Sequence, residues 1–236
     1  MAQRISDLTL GNTARITGLG YLIIFISGIF ANFFVLESLI VPGSPAGTME
    51  NILANQLLFR VGVFSFMIMV IFDVLLAWLL YLLLKPVNTR LSLFSGWLRL
   101  VNGTIFGIAL YHLLNVLEMV SGADYLKLLD PGQVQAQVML FLHSFNQLWL
   151  IGLVFFGLHL FVLGYLILKS GYIPRVLGIL LIIASAGYLI DSFANFMIPN
   201  YQNYATIFML IVVVPGVIGE LSFTLWLLFK GSKIPE

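Results

Sequence analysis

Residues 143–168 read HSFNQLWLIGLVFFGLHLFVLGYLIL and stop at Lys169. With the apolar residues before it, the run extends from Val138 to Leu168 and contains no charged side chain. As a helix of about 30 residues it would be roughly 45 Å long, more than the ~30 Å of hydrocarbon in a bilayer. The stretch therefore reads as a membrane span with overhang, and that reading decides the fold class. It also holds two of the three histidines, His143 and His159. His143, Asn146 and Gln147 fall at i, i+3 and i+4, so they share a helix face. His159 sits near the middle.

The rest of the chain repeats the pattern. Six apolar runs reach spanning length: 16–36, 57–84, 91–120, 138–168, 176–198 and 204–229. Breakers separate them: Val41-Pro42-Gly43-Ser44-Pro45, Lys85-Pro86, Asp130-Pro131-Gly132, Ile173-Pro174 and Ile198-Pro199-Asn200. Of the 236 residues 61% are hydrophobic and 9% charged, against about a quarter charged in a soluble domain. The expectation is an all-α bundle of six transmembrane helices forming one membrane domain over residues 1–236, with the lipid bilayer as its solvent. A net charge of +1 gives no footprint for a nucleic-acid partner. The absence of cysteine excludes disulfides and thiolate chemistry. The first run is too long for a cleaved signal peptide and reads as an uncleaved span.

Basic residues set the expected orientation. With the N-terminus inside, Arg4, Arg15, Lys85, Arg90, Lys169, Arg175, Lys230 and Lys233 face the cytoplasm, and Lys127 alone faces out. Both termini are then cytoplasmic, in a multi-pass protein of the plasma membrane. The fourth span closes His159…Lys169-Ser-Gly-Tyr-Ile-Pro174 and the sixth Glu220…Lys230-Gly-Ser-Lys-Ile-Pro235, a faint internal echo.

Several signatures occur in order along the chain. They are Leu58-Phe59-Arg60, Leu80-Tyr81-Leu82-Leu83-Leu84-Lys85-Pro86-Val87-Asn88, Phe155-Phe156-Gly157-Leu158-His159, Ser170-Gly171-Tyr172-Ile173-Pro174-Arg175, Gly219-Glu220-Leu221 and Leu225-Trp226-Leu227-Leu228. In these the chain resembles the bacterial multi-spanning membrane family catalogued as domain of unknown function 4386, roughly from Arg15 to Lys230. The resemblance implies fold, membrane location and a bacterial source, and carries over no catalytic residue.

A charge inside hydrocarbon costs several kcal/mol and asks for a partner or a role. Counting helix rise from the nearest basic anchor places Asp73 roughly 18 Å deep, Arg99 roughly 14 Å, and His159 and Glu220 roughly 15 Å each. These four residues from four spans share one plane at mid-membrane. Internal pairing would join Arg99 to Asp73 or Glu220 and leave His159 for the other carboxylate. A functional reading makes the quartet a binding site for a small polar solute or a cation. Pro215-Gly216, just before Glu220, frees a carbonyl near Ile211, a device that transporters use at binding sites.

A second polar layer lies toward the outer face: Arg60, His112, His143, Asp191 and Asn195, with Glu37 at the end of the first span. Tyr188, Asp191, Ser192 and Asn195 form a stripe at helical spacing, and Arg60 could close a vestibule against Asp191 or Glu118. His112, His143, Asp191 and Glu37 are zinc-ligating residue types, yet no two histidines share a helical turn. The expected metal and cofactor complement is none. A membrane-embedded metal-dependent hydrolase and a haem between His112 and His143 stand as weaker alternatives. Ser92, Gly96, Gly103 and Gly107 line one face of the third span, suited to packing within the monomer or to a homo-oligomer. Asn102-Gly103-Thr104 lies within that span and is no glycosylation site. The best-supported function is binding or transport at the mid-membrane cluster. An accessory or structural subunit of a membrane complex is the alternative, its charges locking the bundle.

Overall fold

The structure, a computed structural model, describes residues 9–233; Arg4, Ile234 and Pro235 lie outside them. It is helical, with no strand among the described residues. Among the described residues six helices are long and apolar enough to cross a membrane: α1 (Leu10–Leu39), α3 (Gln56–Leu84), α4 (Thr89–Met119), α5 (Pro131–Ser170), α6 (Arg175–Met197) and α7 (Ala205–Lys230). A short helix, α2 (Pro45–Ala54), follows α1. The all-α fold with six candidate spans is the one the apolar runs predict.

The ends differ from the apolar runs where local chemistry extends the helix. α5 begins at Pro131, well before Val138. Proline at the first helical position loses no hydrogen bond, because that N–H would have no partner. Two residues on, the Gln133 side chain accepts a 3.0 Å bond from the Asp130 backbone N–H, half of a capping box. α2 starts likewise: Pro45 opens it, and the Ser44 hydroxyl accepts from Gly47 N–H at 3.2 Å.

The chain folds as two compact units. One comprises Ile23–Ile71 and Thr104–Leu150. Its core includes Phe66, Phe106, Phe145 and Trp149, with Phe106 stacked on Trp149 at 3.7 Å between centroids. Here α1 widens into a π-helical stretch, Phe30–Leu36. In that geometry residues five apart align, and Asn32 donates to Glu37 Oε1 at 3.1 Å. Val35 packs where a side chain at Gly62 would stand.

The other unit comprises the described chain up to Leu22, Phe72–Gly103, and Ile151 onward. Small residues bring its helices together. A Cβ on Gly164 would lie 2.6 Å from the Gly178 carbonyl oxygen, so α5 and α6 meet backbone to backbone. α6 meets α7 at Gly187, whose Cα faces the Ile211 carbonyl. That carbonyl is the one whose usual helical donor, the N–H four residues on, is replaced by Pro215. The freed oxygen thus sits against the neighbouring glycine, a close Cα–H contact of the kind seen at helix crossings. The small face of α4 packs on α3: Gly96 meets the Ala77 carbonyl, and Gly103 meets the Asp73 Cβ. Gly107 faces Val70 within the first unit. This face is used inside the monomer.

Candidate functional site

α4 delivers Arg99 into the interior of the larger unit, where the side chain is 1% exposed. Its Nη2 pairs with Asp73 Oδ1 on α3 at 2.6 Å. Nη1 donates to the Tyr21 hydroxyl on α1 at 3.1 Å and lies 3.2 Å from His159 Nε2 on α5. The guanidinium also lies over two rings, 4.9 Å from the Tyr21 centroid and 5.5 Å from that of Phe156. Four helices therefore converge on one cation. Planar, always charged and donor-rich, arginine is the residue suited to such a fork. A cation over aromatic faces gains most where water is excluded.

His159 is fully buried, and its other nitrogen, Nδ1, lies 2.9 Å from the Ser95 carbonyl and 3.0 Å from the Ser95 hydroxyl. Both ring nitrogens are thus engaged by α4. The depth of the two carboxylates predicts that His159 bonds the one Arg99 does not take. It instead bonds Arg99 and Ser95, because all three project from facing turns of α4 and α5.

Glu220 on α7 is the fourth member of the quartet. It makes no ion pair among the described residues. Its Oε1 accepts from the Tyr188 hydroxyl of α6 at 2.8 Å. Phe156 lies between these two arrangements, with one contact to Arg99 and an edge-on contact to Tyr188 at 5.2 Å. Gly216, one turn before Glu220, leaves the space that Tyr188 occupies: a Cβ there would lie 3.0 Å from the hydroxyl oxygen. Pro215 and Gly216 thus have separate tasks, one freeing the Ile211 carbonyl and the other admitting Tyr188.

Asp73, Arg99 and His159 are brought into direct contact, and Glu220 stands beside them with its own partner. Tyr21, Ser95 and Phe156 carry no charge and are ordinary residues in apolar helices until the helices are packed around Arg99 and His159. Asn102, one turn from Arg99, is also fully buried, and among the described residues neither polar atom of its amide has a hydrogen-bond partner.

The outer candidates are distributed over both units. In the smaller unit Arg60 and His143 are exposed, and His112 is half-buried, its ring against Phe141. Glu118 is engaged by the Tyr125 hydroxyl rather than by Arg60. In the larger unit Asp191 accepts from the Tyr201 hydroxyl at 2.5 Å. Burial, then the Asp191 bond, pushes the Tyr201 phenol up to about 12, and Asn195 is half-buried. Tyr188 leaves the expected stripe for Glu220. Among the described residues no three His, Cys, Asp or Glu side chains are placed to hold a metal ion together.

Comparison with known proteins agrees with the family resemblance. An uncharacterized protein of Archaeoglobus fulgidus is 35% identical over 176 residues, which cover 75% of this chain and 85% of that protein. This relative is archaeal. No solved structure matches the chain. The model of the family described as domain of unknown function DUF4386 matches residues 16–231. With nearly every helix inside that match, the chain belongs to the DUF4386 family of multi-spanning membrane proteins.

Proposed function

We propose that this protein binds or transports a small cation or polar solute at mid-membrane, with Glu220 as the group that meets it. One observation carries the reading: the cluster has two carboxylates and one paired cation. Arg99 neutralises Asp73. His159, which accepts from Arg99 at Nε2, adds no charge. An ionised Glu220 therefore leaves one negative charge in excess, and among the described residues its side chain is bonded by a tyrosine hydroxyl rather than by a cation. A buried carboxylate so placed favours a proton or another small cation.

The experiment is cation-dependent uptake into proteoliposomes, comparing wild type with Glu220→Gln and Tyr188→Phe. The reading expects Glu220→Gln to lose at least tenfold in flux or binding while the protein still folds. An unchanged flux in a folded Glu220→Gln variant would refute it.

A second reading has its own support. Asp73, Tyr21 and His159 all bond Arg99, and His159 bonds Ser95, as in a purely structural lock. On that reading the protein is an accessory subunit, and Arg99 variants fail in folding alone. The two readings divide the quartet, with the Arg99 group as scaffold and Glu220 as site.

The eight-to-one distribution of basic residues supports cytoplasmic termini in a plasma-membrane protein. Because the chain lacks cysteine, Thr89→Cys and Asp124→Cys are clean probes. An impermeant thiol reagent applied to intact cells should label the second and spare the first.

A further inference from the structure

Where α5 turns into α6, an open surface cavity of about 500 Å³ is lined by Tyr165, Leu168, Lys169, Gly171 and Arg175. The turn is tight because Gly171 adopts φ of 74°, which a residue with a side chain rarely does. Tyr172 fixes it by donating to the Leu83 carbonyl at 2.6 Å. Two cations therefore face one cavity on a held frame. Lys169 is steadied over the Tyr165 ring at 5.7 Å, and among the described residues neither Lys169 nor Arg175 pairs with a carboxylate. The adjoining surface is apolar and uncovered: Val176 is 58% exposed and Ile179 50%. An anion seated between the cations would have acyl-compatible surface directly beside it, at the end of two membrane spans.

We propose that this cavity binds the phosphate of an anionic lipid headgroup, with Lys169 and Arg175 on the phosphate, Tyr165 beside it, and the acyl chains along α6 over Val176 and Ile179. The arrangement pairs an unneutralised basic cavity with exposed apolar helix at a membrane boundary. The apolar surface beside the cations favours a lipid over a free phosphate.

The test is native mass spectrometry and lipid competition on the full chain in nanodiscs of phosphatidylcholine with or without phosphatidylglycerol, with inorganic phosphate as a separate arm. Wild type should retain phosphatidylglycerol over phosphatidylcholine. Lys169→Gln and Arg175→Gln should each lower that preference about fivefold, and the double variant roughly 25-fold. Lys230→Gln, a terminal cation outside the cavity, should leave it unchanged. Three results would overturn the proposal: no preference in wild type, an equal loss in Lys230→Gln, or displacement of the lipid by millimolar inorganic phosphate. Both substituted side chains are exposed, and thermal melting confirms that each variant is folded before lipid retention is compared.

Discussion

Arg99 Nη1 and His159 Nε2 stand 3.2 Å apart in a buried site, and only one of them can accept a proton. A guanidinium has donors and no acceptor. Nε2 is therefore the bare nitrogen, and the proton sits on Nδ1, where it is shared between the Ser95 carbonyl and hydroxyl. In nitrogen-15 spectra of histidine-labelled protein, His159 should show a protonated Nδ1 and an unprotonated Nε2. A signal for an Nε2–H on this ring would contradict the assigned network.

Breaking the Arg99–Asp73 pair should cost far more than deleting it. Arg99→Met alone strands a buried carboxylate, a change worth about 3–5 kcal/mol. Asp73→Leu with Arg99→Met removes both charges and should recover most of that loss. Unfolding midpoints in detergent for the two single variants and the double variant measure the coupling. A double variant as unstable as Arg99→Met would show that stability comes from packing around the guanidinium rather than from pairing.

The glycine crossings should tolerate no side chain. Gly164→Val and Gly187→Val push into carbonyl oxygens of the facing helix and should each destabilise by about 1–3 kcal/mol or more. Gly132→Ala, with open space around it, serves as the control and should be neutral or slightly stabilising. Similar melting curves for all three would mean that α5, α6 and α7 are not held by these contacts.

Two tyrosines outside the spans should impose an alkaline limit. Burial pushes the Tyr172 phenol from 10.0 up to about 12, and burial with the Asp191 bond does the same for Tyr201. A raised pKa means that the folded state holds the proton more tightly than the unfolded one. The stabilisation is complete below pH 10 and is lost as the pH rises from about 10 through 12. Melting temperature recorded across that window should fall, and fall less in Tyr172→Phe and Tyr201→Phe. A slope unaltered by both substitutions would assign the alkaline loss to other groups.

The ionisable members of the central cluster are legible in the sequence, but their aromatic and hydroxyl partners are not, for one reason. Depth depends on helix rise, which is constant per residue, so Asp73, Arg99, His159 and Glu220 could be placed at one level by counting from Lys85, Arg90, Lys169 and Lys230. Which way each side chain faces depends on helix rotation, and that is set by packing. Nothing in the apolar pattern distinguishes Tyr21 or Phe156 from the other aromatics of their helices. Only when α1 and α5 are docked on α4 do these two rings flank the Arg99 guanidinium. Tyr188 shows the converse: helical spacing grouped it with Asp191, yet its hydroxyl turns to Glu220 because Gly216 leaves room there.

The chain by itself determined six helices of spanning length, because backbone groups in hydrocarbon must be satisfied within the helix and each run is apolar enough to stay there. It also placed four ionisable residues, Asp73, Arg99, His159 and Glu220, within the predicted spans. Tertiary structure alone decided that Arg99 takes Asp73, Tyr21 and His159 while Glu220 keeps only Tyr188. A buried charge accepts whichever partner the helix crossings bring within hydrogen-bonding distance, and glycines such as Gly164 and Gly187 set those crossings by letting backbones touch.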